Sequence, residues 1–172
     1  MNRVAGVLPL LVLLGVLEGC AARPVPRRAA FNEAEFQPYA GSGTSTIQGQ
    51  AFLKTRGGEV RFGAGNTVYM VPATSFTREW YDRAVVGGVN LGAADPEAQS
   101  RIAQYERRTT ADGNGNFEFR NIPAGEYFIT CNIVWEVPYS TGYTVQTTQT
   151  GGTAHAAVKV GPGETVKAVV TR

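Results

Sequence analysis

The sequence predicts an all-β chain: a seven-stranded antiparallel β-sandwich with a partly helical insertion, preceded by a signal and a flexible tether. Three observations carry that expectation. The 172 residues are 43% apolar and 17% charged with 21 glycines, as in one globular domain with many turns. Short apolar or alternating runs recur at close intervals, separated by Gly, Pro, Asn and Asp. The third observation is the stretch TADGNGNFEFRNIPAGEYFIT, residues 110–130. There turn residues lead into Phe117 and Phe119, a second turn follows, and Tyr127 and Phe128 open a new apolar run.

Strand signals begin at Thr44. The run TIQGQAFLK brings Ile47 and then Ala51, Phe52 and Leu53, and RGGEVRFG carries turn glycines at 57 and 58. NTVYMVPA sets Val68, Tyr69, Met70 and Val71 ahead of Pro72, which cannot donate to a ladder and so ends a short buried strand. YERRTT alternates. Asp112-Gly113 and Asn114-Gly115 then tolerate the positive φ that a tight hairpin requires. Phe117 and Phe119 stand two apart and so share a face. Ala124-Gly125 turns the chain into a long strand from Tyr127 to Val137. YTVQTTQT, HAAVKV and ETVKAVV complete the set, with breaks expected at Gly151-Gly152 and at Gly161-Pro162-Gly163.

The rhythm fails over residues 74–104, which read as an insertion between two strands. FTREWYDRAV allows a turn or two of helix. DPEAQSRIAQYE is a stronger helix, with Asp95 as N-cap, Pro96 at the first helical position and Glu97 in the first turn. Ala98, Ile102 and Tyr105 would face inward.

Residues 1–19 read as a secretory signal. Arg3 supplies the positive end, and VAGVLPLLVLLGVL is an apolar core shorter than the ~20 residues of a spanning helix. LEGC then resembles the lipobox of bacterial lipoproteins at Leu17, Gly19 and Cys20, and departs from it at Glu18. That resemblance implies that Cys20 becomes the acylated first residue of the mature chain. Ala21, in place of Asp, implies delivery to the outer membrane, facing the periplasm. The alternative is an unmodified cysteine beside an ordinary cleavage site. Residues 20–43, with Pro24, Pro26, Pro38, Gly41 and Gly43, are expected to form the tether. Arg23, Arg27 and Arg28 suit either anionic headgroups or plain solvent, and Phe31 and Phe36 are apolar enough to pack on the domain. Cys131, in YFITCNIVW, is expected to be a buried small hydrophobe.

Residues 46–137 resemble the carboxypeptidase regulatory-like domain, of the prealbumin (transthyretin-like) fold. The hallmark run of that family pairs Thr and Asp with Gly-x-Phe-x-Phe and Ile-Pro-x-Gly-x-Tyr. Thr110, Asp112, Gly115, Phe117, Phe119, Ile122, Pro123, Gly125 and Tyr127 fit it. The resemblance implies a prealbumin-like sandwich over 44–172. It implies no particular activity, because such modules are adaptors on many unrelated proteins.

Residues able to carry chemistry are sparse. Asp112, Asn114 and Asn116 match the start of an EF-hand loop, yet Phe117 stands where that loop needs Gly and Pro123 where it needs Glu. A hairpin turn accounts for them. The one histidine, His155, cannot supply the multi-histidine metal centres of related sandwich enzymes, and its alternating setting TAHAAVKV reads as structural or surface. No paired carboxylates stand in a catalytic context. The expectation is a non-enzyme without metal or cofactor. A net charge of +2 gives no reason to expect a nucleic-acid partner.

Binding remains. The expected surface comprises Arg78, Trp80, Tyr81, Arg83 and Tyr105 of the insertion with Tyr139 and Tyr143 of PYSTGY, since aromatics flanked by arginine suit protein or saccharide contact. Trp80 and Tyr81 could equally plug an open end of the core. The first expected function is a membrane-anchored scaffold module that binds another envelope protein. The alternative is a carbohydrate or cell-wall binding module, with a polysaccharide as partner.

Overall fold

A computed structural model describes residues 29–92 and 95–172; the signal, Cys20 and the first part of the tether lie outside the described residues. Among the described residues eight strands, against the seven expected, form two four-stranded sheets packed as a sandwich. They are β1 (Ser45–Lys54), β2 (Val60–Phe62), β3 (Thr67–Pro72), β4 (Arg107–Thr110), β5 (Asn116–Ile122), β6 (Gly125–Ser140), β7 (Val145–Val160) and β8 (Thr165–Val170). In the first sheet β1 pairs antiparallel with β5 and then with β2 along the same edge, and parallel with β8 on the other. The parallel pair arises because the chain leaves β7 through Gly161–Glu164, crosses to the other sheet and runs beside its centre. The second sheet, β4-β3-β6-β7, is antiparallel throughout.

Alternation sets the core. Along β1, Ile47, Ala51 and Leu53 are buried while Gln48, Gln50 and Phe52 face out. Phe117, Phe119 and Ile122 of β5 meet Tyr127, Ile129, Cys131 and Ile133 of β6 across the interior. Cys131 is fully buried, and burial pushes its thiol pKa up, as suits a small hydrophobe. Gly49 has no room for a side chain, since a Cβ would lie 2.5 Å from the Phe117 ring and 2.6 Å from the Ala168 carbonyl.

The insertion lies on the outward face of the second sheet. It comprises α2 (Ser75–Trp80), a π-helical segment Tyr81–Val86 and α3 (Pro96–Ala103). Thr74 and Thr77 form a reciprocal capping box at the start of α2, and Asp95 caps α3 ahead of Pro96, as the sequence predicts.

Residues 29–43, the end of the expected tether, are folded onto the domain, as the apolar Phe31 and Phe36 allow. Within them α1 (Glu33–Phe36) buries Phe36 completely. Phe31 stacks on Phe36 at 4.8 Å and meets Phe76 edge-on at 6.1 Å, and Tyr39 packs edge-on against Tyr127 at 5.2 Å. Glu35 accepts from the Ser75 backbone and hydroxyl at 2.6 and 2.9 Å. Proline and glycine content suggests a linker, and the aromatic side chains override it by burying area on the body.

Gly151 and Gly152 do not break a strand either. They lie inside β7, opposite Val134 and Ile133, and the β6–β7 ladder continues through them to Ser140 and Val145. Because β3 pairs only with Tyr127–Cys131 of β6, the remainder of the hairpin stands clear as a two-stranded arm. Residues 136–150 are all exposed.

Candidate functional site

The structure divides the aromatic and arginine candidates between two distant places. Tyr81 is buried, its ring stacked on Phe128 at 4.1 Å, with its hydroxyl 3.0 Å from His155 Nδ1. Arg78 donates to Glu126 at 2.6 Å and lies 5.3 Å over the Phe128 ring. Arg83 pairs with Glu79 one turn back. Tyr105 is half-buried against Phe36. Trp80, also half-buried, walls a cleft of about 310 Å³ with Val71, Thr77 and Ile102. Tyr81 plugs not an open end of the main core but a separate small apolar cluster, with Val71 and Phe128, over the outside of the second sheet. Tyr139 and Tyr143 lie at the tip of the arm. Tyr139 donates to Gln146 at 2.6 Å, and Tyr143 is 99% exposed. The tip pair Ser140–Val145 is ten residues along the ribbon from Thr130–His155, or about 33 Å.

His155 completes the plug. Burial lowers its pKa, with Arg172 adding to the effect. A folded-state value below the ordinary one means that the neutral ring's stabilisation is complete above about pH 6.5 and is lost as pH falls through the folded value. Thermal unfolding followed from about pH 7.5 to about 5 should therefore show a falling Tm, with His155→Asn flattening that slope. An unchanged slope in the variant would refute the assignment. Asp112 and Glu118, whose pKa values lie below the usual carboxylate range, contribute in a separate, more acidic window.

A different surface, absent from the expected binding residues, collects polar groups: the outward face of the first sheet. Its strands set two cross-strand rows, Glu118–Gln48–Lys167 and Asn116–Gln50–Val169. A third pair, Phe62–Phe52, follows along β1, with rings 6.5 Å apart and Phe62 43% exposed. The face lines an open concavity of about 740 Å³, flanked by Thr109, Thr110 and Asp112 towards β4.

Three amides on this face are held by internal bonds. Gln48 donates to Glu118 at 2.8 Å, Gln50 donates to the Asn114 carbonyl at 2.8 Å, and Asn116 donates to Asp112 at 3.0 Å. Asp112 also accepts from the Asn114 and Asn116 backbone N–H groups at 2.8 Å each, which closes the hairpin turn read from DGNGN. Hydrogen bonds from Gln48 and then Arg120 hold Glu118 below the usual carboxylate range, and those from Asn116 do the same for Asp112. Each amide thus has an N–H committed inward and a carbonyl oxygen left to accept from outside. The sequence signal was present in TIQGQAF, where Gln48 and Gln50 alternate with the core residues Ile47 and Ala51.

The fold has a relative among solved structures. A crystal structure described as that of a suggested carbohydrate-binding protein from Pseudomonas aeruginosa matches with a TM-score of 0.69 and 30% sequence identity, covering 84% of this chain and 99% of that one. The chain belongs to that protein's family. No protein-family model matches the sequence, and a search of curated proteins finds no match. Within the Pseudomonas protein's family, the β-sandwich is the shared frame on which both the polar face and the arm of this chain are displayed.

Proposed function

We propose that the chain is a non-catalytic carbohydrate-binding protein of the cell envelope, with the polar outer face of the first sheet as its saccharide platform. The observation that supports this reading most directly is the set of three pre-oriented amides, Gln48, Gln50 and Asn116, beside the Phe52–Phe62 pair. A sugar presents hydroxyls that must be paired and a C–H face that prefers an apolar surface. Side chains already fixed by internal bonds lose little freedom when they accept those hydroxyls. Strands ~4.8 Å apart and outward residues ~7 Å apart along each strand place the groups at the scale of one pyranose ring after another. The description of the Pseudomonas relative favours the same ligand class. The scaffold reading has no comparable set of groups behind it.

Anchoring through lipidated Cys20, with the protein on the outer membrane facing the periplasm, is part of the proposal and rests on the lipobox-like LEGC. Affiliation with the carboxypeptidase regulatory-like domains likewise rests on the Thr110–Tyr127 run.

The test is retention of the full chain on purified cell-wall and surface polysaccharides, followed by titration of the one retained. Replacing Gln48, Gln50 and Asn116 together by Ala removes about three hydrogen bonds at ~1 kcal/mol each, so affinity should fall about 100-fold. Tyr143→Ala, at the distant arm tip, should leave affinity unchanged. Wild-type affinity in the triple variant, or no saccharide retained, would sink the assignment. A Cys20→Ser chain that still fractionates with membranes would remove the anchor from it.

A further inference from the structure

We infer that the β6–β7 arm is a dimerisation element, in which the outer edge of β7, Val145–Thr150, pairs antiparallel with the same edge of a second copy. The arm lies apart from the outer face of the first sheet, and its exposed backbone is the starting point. Among the described residues no strand pairs with β6 on its outer side beyond Cys131, and the outer side of β7 makes one backbone bridge, from His155 to Thr171. An exposed row of unpaired N–H and C=O groups is a template for another strand, and proteins usually blunt such edges with proline or charge.

The two edges of this arm are treated differently. On β6, Pro138 has no N–H to offer and Glu136 adds a charge. On β7, the run Val-Gln-Thr-Thr-Gln-Thr from 145 to 150 contains neither a charge nor a proline, and four of its six residues are β-branched. One guarded edge and one open edge select the occupant. When two β7 edges pair with each other, both open rows are consumed and the two guarded β6 edges are left outside. The assembly then closes at two copies, as an isologous twofold contact requires, and cannot propagate into a fibre.

Symmetry makes further demands that the arm meets. A twofold axis normal to the combined sheet sets a residue opposite its own mate, so a charged edge would repel itself, whereas Thr and Gln hydrogen-bond across such pairs. The same axis brings matching faces level. Trp135, Val137 and Tyr139, alternating along one side of β6, would then lie on the same face as their counterparts, with Thr150, Thr148 and Gln146 of both copies forming a polar band between the two rows. The antiparallel run also carries the two sandwiches to opposite ends of the ribbon. From Ile133 to Ser140 the arm extends about 23 Å, enough to keep them apart.

Sedimentation equilibrium of the detergent-solubilised full chain tests this directly, with twice the monomer mass expected at about 100 μM. The double variant Thr147→Lys with Gln149→Lys places like charges across the axis on an exposed strand, without touching the core. It should weaken self-association at least about tenfold. Glu136→Lys on the guarded edge should leave it unchanged. A monomeric wild type, or a lysine variant that dimerises as well as the wild type, would overturn the proposal. Equal weakening by Glu136→Lys would overturn the choice of edge.

Discussion

Phe128→Ala is expected to lower stability by about 3–5 kcal/mol and to release the insertion while the sandwich interior stays filled. The side chain is 1% exposed although it points away from the main core. The insertion covers it: Tyr81 stacks over it at 4.1 Å, and the Arg78 guanidinium lies 5.3 Å from its ring. Removing the ring leaves a cavity and takes away the surface on which Tyr81 is seated. Only Val71 and the half-buried Ala73, Trp80, Val85 and Ile102 are then left to hold the cluster. Chemical denaturation gives the cost, and limited proteolysis shows where it is felt. New cleavage between Arg78 and Gly92 is expected, with the β-strands still protected. Phe128→Leu, which keeps most of the volume, should cost under about 1.5 kcal/mol. Cleavage spread evenly over the chain would mean that the insertion and the sandwich unfold as one unit, against this expectation.

The second large effect is expected from Gly151→Ala. At this position φ is +140°, a region that L side chains rarely adopt. A Cβ would lie 2.1 Å from the Ile133 carbonyl oxygen and 2.8 Å from the Val134 Cα, both on the partner strand. Neither atom can swing aside as the end of a flexible side chain could, so the β6–β7 ladder must open at the base of the arm. Backbone strain of this kind costs ~1–3 kcal/mol by itself, and the lost ladder bonds add to it. Hydrogen exchange should show residues 134–150 losing protection while β1, β5 and β8 keep theirs. An unaltered exchange pattern would place the glycine's importance elsewhere.

The sandwich was legible because alternation and turn chemistry agree with each other. Phe117, Phe119 and Tyr127 point inward as their spacing requires, and Asp112 organises the turn that DGNGN announces. One expectation failed and one was left open, each for local reasons. Gly151-Gly152 reads as punctuation, and only the partner strand reveals that those glycines allow close approach inside a continuous ladder. Pro24, Pro26 and Gly41 suggest a tether, and only the burial of Phe36 and the seat of Tyr39 on Tyr127 show where it ends. The candidate site was harder still. Aromatic residues draw attention in a sequence, yet Tyr81 serves packing and Tyr139 and Tyr143 stand far from the insertion. Gln48 and Gln50 are unremarked polar residues in the sequence, and Asn116 reads only as part of a turn. The three become a set only when β1 and β5 lie side by side, a pairing across more than sixty positions of chain.

The strap of residues 29–43 also determines how the molecule responds to a pull. The Ala29 N–H bonds to Glu79 at 2.8 Å, so tension arriving from the preceding chain enters at the insertion rather than at a strand. The next holds, at Phe31, Phe36 and Tyr39, follow one another in series, and each can yield before the next takes the force. Peeling in this manner needs little force at any instant. Beyond the strap lies β1, bound on one edge to β5 and on the other to β8, whose ladders share tension in parallel and resist shear. The strap is therefore a shock absorber: a few tens of ångströms of chain can pay out at low force while the outer face of the first sheet stays intact.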